Sequence, residues 1–186
     1  MNCKLLLFIT LLFTGIIFAL SACAGTIDLR KSATAVITSP VRSTDTRILV
    51  YFPMPDEVSD RDVEIDFALL TIAAELKGGT MAEIQCHPGT TDWMQDPVVD
   101  WETPWNASGG DFDDSVYFTG SYTINTEKKN PLSIDVTNIV RAWQKNLLPN
   151  YGILIKISVS DLEIQKARCK FDSGETSLKI MYSCSK

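Results

Sequence analysis

The feature that most constrains this chain is a two-residue alternation of apolar and polar side chains, cut by turn formers about every ten residues. Leu178, Ile180 and Tyr182 alternate with Ser177, Lys179 and Met181, which sends one set to each face of a strand. Further strand segments run over Ala33 to Thr38, Arg47 to Phe52, Glu64 to Glu75, Met81 to His87, Ser115 to Thr123, Tyr151 to Ser158 and Leu162 to Phe171. Strands with one apolar face must bury it against a second layer, so the pattern predicts an all-β fold, a β-sandwich. One segment has a different period. Val136, Ile139, Val140 and Trp143 recur at i, i+3, i+4 and i+7, with Asp135 placed to cap the start. This predicts one short amphipathic helix that plugs an open end of the core, with Trp143 inside; Asn146 to Asn150, holding Pro149, stops it.

The N-terminus is read apart from the fold. Met1-Asn2-Cys3-Lys4 precedes an apolar stretch from Leu5 to Leu20, the charged start and greasy middle of a secretory signal. It is short for a membrane-spanning helix. Leu20-Ser21-Ala22-Cys23 resembles the bacterial lipobox, which implies cleavage before Cys23, acylation of Cys23 and a lipid-anchored place on the membrane surface of the cell envelope. Ordinary cleavage after Ala22-Cys23-Ala24 would instead release a soluble protein. The expected organisation is therefore a signal over 1–22, a tether over 23–32 and one domain over 33–186.

The whole chain carries a formal charge of −6, and the leader's one charge is Lys4, so the mature protein is more acidic still. Such a chain is not drawn to nucleic acid. With Cys3 in the leader and Cys23 consumed by lipid, Cys86, Cys169 and Cys184 remain. At most one pair forms. Cys169 with Cys184 is the expected pair, since both sit in adjacent C-terminal strand segments, and Cys86 is expected as a buried thiol. No C-x-x-C or His-rich spacing points to zinc.

Residues Asp92 to Asp114 crowd Trp93, Trp101, Trp105, two prolines and Gly109-Gly110 into a stretch with little periodicity, a long ordered loop. Taken in order, several segments resemble the DNRLRE domain, also known as carbohydrate-binding module family 96. Thr46 to Phe52 is similar to its early strand, and Phe67-Ala68-Leu69-Leu70 to the next. Trp93, Val98-Val99-Asp100-Trp101, Pro104-Trp105 and Gly109-Gly110-Asp111-Phe112-Asp113 are similar to its tryptophan loop. Asp135-Val136-Thr137 through Trp143 to Asn150-Tyr151-Gly152-Ile153 is similar to its most recognisable stretch, and Phe171-Asp172-Ser173 with Leu178 to Tyr182 to its closing strand. After Ser173 the sequence departs from the pattern, with Gly174-Glu175 in place of a charged, proline-bearing turn. The resemblance covers about residues 46–183 and implies a jelly-roll-like β-sandwich without catalytic activity, some of whose relatives bind acidic polysaccharides of the alginate kind.

Little in the sequence suggests catalysis. The one histidine, His87, neighbours Cys86, but adjacent strand residues point to opposite faces, so these two do not form a Cys–His pair. Asp111, Asp113 and Asp114, with Asp96, Asp100 and Glu102 upstream, are hard oxygen ligands suited to a structural calcium, although the spacing is not that of an EF-hand. Capping and turn formation by the same side chains is the competing account. Trp101 and Trp105 are the candidate sugar-stacking faces, against a purely structural loop. Lys166, Arg168 and Lys170 fall on one face of a strand and could read an acidic sugar, or guard an edge strand against aggregation. The leading reading is a surface-anchored, non-catalytic module for polysaccharide; the alternative is a structural or adhesive envelope lipoprotein with a protein partner.

Overall fold

The computed structural model describes residues 24–41, 45–60, 62–76, 81–115, 118–123, 130–159 and 169–184. In chain order these form β1 (Ala24–Arg30), β2 (Ala33–Thr38), β3 (Thr46–Tyr51), the single turn α1 (Asp56–Ser59), β4 (Val63–Leu76), β5 (Met81–Pro88), a 3-10 turn at Trp93–Gln95, β6 (Phe118–Thr123), β7 (Asn130–Asp135), α2 (Thr137–Gln144), β8 (Ile153–Val159) and β9 (Cys169–Cys184). The strands make two antiparallel sheets, one of order β1-β9-β4-β7 and one of order β2-β3-β8-β5-β6. With β2 set aside as an added edge, two four-stranded sheets remain between which the chain passes back and forth, the arrangement of a jelly roll. The all-β sandwich with one short amphipathic helix is thus the observed fold.

The core follows from the alternation. Strand β3 buries Ile48 and Val50 between the sheets, β8 buries Ile153, Ile155 and Ile157, and β9 buries Leu178 and Ile180. Each such side chain contributes about 1.5–3 kcal/mol on leaving water. In β4 the inward set changes phase, from Ile65 to Ala68, Leu70 and Ile72, because the register against β9 slips between Ile65 and Phe67. Helix α2 packs at that irregularity and satisfies its freed backbone groups. Ala68 N donates to Thr137 Oγ1 at 2.9 Å, and Arg141 Nε donates to Ile65 O at 2.8 Å. Asp135 Oδ1 accepts from Thr137 N at 2.9 Å, which starts the helix, and Val136, Ile139, Val140 and Trp143 all enter the core between the sheets.

Three expectations need correction. Residues 24–30, read as a tether, form β1 and pair along their length with β9; Ile27 and Leu29 pack against the core while Asp28 is exposed. Residues 130–135, not read as a strand, form β7 on the far edge of the same sheet. Of the two C-terminal strand segments, residues 162–168 lie outside the described residues, while 169–171 and 177–182 belong to one strand over residues 169–184, paired with β4 from Leu76↔Cys169 to Val63↔Cys184. Cys169 and Cys184 therefore stand at opposite ends of a 16-residue strand, roughly 40 Å apart, the span of β4 from Leu76 to Val63 at the usual rise. They cannot be bonded to each other, because disulfide Cα atoms lie within about 7 Å. Cys184 is nonetheless disulfide-bonded, and Cys86 is a free, buried thiol.

Candidate functional site

The outward face of the five-stranded sheet carries a second apolar cluster. Ile37 of β2, Leu49 of β3 and Leu154 of β8 point away from the main core and are covered by Trp93 and Trp105 of the loop after β5. Trp93 Nε1 donates to Tyr151 O and Trp105 Nε1 to Asp100 O, both at 2.8 Å, so each indole buries its ring and still satisfies its N–H. Gly110, at φ +98°, lies so close to Leu154 that a Cβ would come within 2.5 Å of its Cδ1. Only a glycine lets the loop sit this low on the sheet.

Aspartate side chains fix the path of the loop. Asp111 accepts four hydrogen bonds, from Thr91 Oγ1 (2.6 Å), Asn106 N (2.9 Å), Asn106 Nδ2 (2.8 Å) and Ala107 N (3.0 Å). Burial alone would raise its pKa, but those donors outweigh it and hold the carboxyl below the ordinary range. Asp113 is held low chiefly by the Ser115 hydroxyl and then by the Ser115 backbone N–H. Asp100 Oδ1 caps the turn by accepting from Glu102 N and Thr103 N, both at 2.8 Å. Asp114 is exposed. Among the described residues there is no group of three or more His, Cys, Asp or Glu side chains placed to hold a metal ion. Asp111, Asp113 and Asp114 are thus not gathered into a cage, and the lone pairs of Asp111 already face protein donors.

Beside this loop lies a cluster of cations and rings. Cross-strand register sets Arg47 of β3 opposite Lys156 of β8, and Lys156 opposite Gln85 of β5, on one face. The Arg47 guanidinium carbon lies 4.7 Å from the Trp101 ring centroid and 5.8 Å from that of Phe112. Lys156 Nζ lies 5.0 Å from the Phe112 centroid on the same ring system. Arg47 Nη1 donates to Gly109 O at 2.5 Å and its Nε lies 3.9 Å from Asp45 Oδ1, so it anchors the loop tip. Burial works against its charge, with Asp45 partly offsetting that. Phe112 also packs against His87, with ring centroids 4.5 Å apart and the ring planes tilted by 47°. His87 has its basicity lowered to about 4, first by burial and next by Lys156, while Asp114 and the Asp113 backbone oppose the shift.

Of the residues singled out from the sequence, Trp101 is half-buried at the rim of the loop and Trp105 is 9% exposed beneath it. Cys23, Lys166 and Arg168 lie outside the described residues, and of Lys170 only the backbone, in β9, is described. Arg47, Lys156 and Phe112 are not among the site residues expected from the sequence. A lone lysine in the apolar run Ile153-Leu154-Ile155-Lys156-Ile157 was the available signal. No protein-family model matches the chain, and no curated protein sequence matches it either.

Proposed function

We propose that this chain is a non-catalytic, exported β-sandwich module that binds acidic polysaccharide on the outward face of its five-stranded sheet, at the rim of the tryptophan loop. The carrying observation is the juxtaposition of Arg47 and Lys156 with the Trp101 and Phe112 rings. Lys156 makes no ion pair among the described residues and is half-exposed, leaving its ammonium for an external carboxylate or sulfate. Half-buried aromatic rims with nearby cations suit a uronate-rich chain, which offers a flat apolar ring face and a negative charge on each sugar. The resemblance of the loop to the DNRLRE domain agrees with this reading.

The buried reactive groups support the non-catalytic part. The Cys86 thiol is pushed up to about 12 by burial, and His87 is too weak a base to take its proton. Exposed large apolar side chains among the described residues are the scattered Val36, Val41, Val98 and Leu147, which do not form the broad patch a protein interface needs.

Isothermal titration of the exported protein against acidic and neutral polysaccharides tests the reading. Saturable heat is expected with an acidic glycan alone, weakening with salt and falling about tenfold in affinity, ~1.4 kcal/mol, in Lys156→Ala. Trp101→Ala should weaken it further. Binding indifferent to both substitutions, or no heat with any glycan, would sink it.

A further inference from the structure

Cys184 is disulfide-bonded, and the fold leaves few thiols that could reach it. Cys86 is free and buried in the core. Cys169 begins the long strand that Cys184 ends. Strand β1, however, lies against β9 in an unbroken antiparallel register from Arg30↔Ser177 to Ala24↔Ser183. Continued by one step beyond the described residues, that register would set position 23 opposite position 184, and position 23 is a cysteine. Directly opposed Cα atoms in such a pair lie about 4.5–5.5 Å apart, inside the roughly 4.4–6.8 Å range of disulfides. Cys3 sits twenty residues further upstream, in the leader.

We propose that Cys184 is bonded to Cys23, a staple that ties the first strand of the sandwich to its last. The staple and an acyl anchor claim the same sulfur: a thioether to lipid leaves no thiol to oxidise. The mature protein then keeps Cys23 unacylated and is cut upstream of it, for which Ala19-Leu20-Ser21 offers a small-x-small site. It is released rather than lipid-anchored. In forming the bond the two thiols give up two protons and two electrons to a disulfide-carrying oxidant, by exchange through a mixed disulfide, and the oxidant leaves as its dithiol. Oxidising compartments beyond the inner membrane supply such oxidants.

The test is to express the full chain with its leader in an exporting bacterial host, block free thiols and digest the purified protein without reductant for mass spectrometry. The expected result is a linked pair holding Cys23 and Cys184, two hydrogens lighter than the separate peptides and absent after reduction. Cys184→Ser should make Cys23 alkylatable and lower Tm by about 5–15 °C, whereas Cys169→Ser should leave the linked pair intact. An acylated Cys23, an N-terminus downstream of Cys23, or Cys184 linked to any other cysteine overturns the proposal. Should Cys184→Ser fail to accumulate, the digest of the natural protein decides alone.

Discussion

The core between the sheets and the cluster under the tryptophan loop bury similar side chains by different means. Between the sheets, strand periodicity supplies the apolar faces of both layers, and Ile48, Val50, Ile155 and Leu178 interlock with little polar assistance. Under the loop, the sheet supplies only Ile37, Leu49 and Leu154, and the cover is irregular chain whose backbone is held by Asp100, Asp111 and Arg47. The first cluster is specified by a repeating pattern and the second by individual hydrogen bonds. The second should therefore be the more easily detached, and by polar substitutions rather than apolar ones.

The largest effect is expected from Phe52→Ala, which empties a fully buried site in the inter-sheet core. It should cost about 3–5 kcal/mol, read as a single cooperative loss of both far-ultraviolet signal and tryptophan fluorescence in urea. A smaller and separable effect is expected from Asp111→Ala, which strands four donors and should cost about 1–3 kcal/mol. Its loop should loosen first, shifting tryptophan emission to the red while the strand signal holds. Coincident loss of both signals in Asp111→Ala would show that the two clusters melt as one unit and would erase the distinction.

A further effect is one of pH. His87 titrates near 6.5 when unfolded and near 4 when folded. Between those values the unfolded chain binds a proton that the folded chain refuses, so stability should fall as pH drops from 6.5 to 4. Asp111 and Asp113, held below the ordinary carboxylate range, contribute stability that is present above that range and is lost only as pH falls through their folded values. Chemical denaturation from pH 7 to 4.5 should show the histidine part alone, and His87→Gln should flatten it. An unchanged slope in that variant would remove His87 as the cause.

Much of the sandwich was legible because turn-bounded apolar segments mark the strands, and at the end of β9 the inward Leu178 and Ile180 read directly from their period; in β3 and β8 both faces are apolar, so only the strand and not its facing could be read. Strand β4 was legible as a strand but not in its facing, since the slip at Ile65 and Phe67 changes phase without any local sequence signature. Helix α2 was legible through its three-four spacing, yet its bonds to the β4 irregularity depend on a partner nearly 70 residues away. β1 was mistaken for a tether because Thr26 and Asp28 outweighed the short alternation of Ile27 and Leu29. The loop could be recognised as ordered from its tryptophans. The row of Arg47, Lys156 and Gln85 could not, since it exists only once three strands distant in sequence are set in register.

The antiparallel match of β1 with β9 has a mechanical consequence. The described strand begins at Ala24 beside Ser183, so traction between the two ends of the reduced protein would open the ladder rung by rung from that corner, whereas a Cys23–Cys184 bond sits at that corner and takes the load before any rung opens. Unzipping yields at low force, so a reduced module pulled in flowing or matrix-bound surroundings would peel from its first strand inward, and the staple guards the rung where peeling would start.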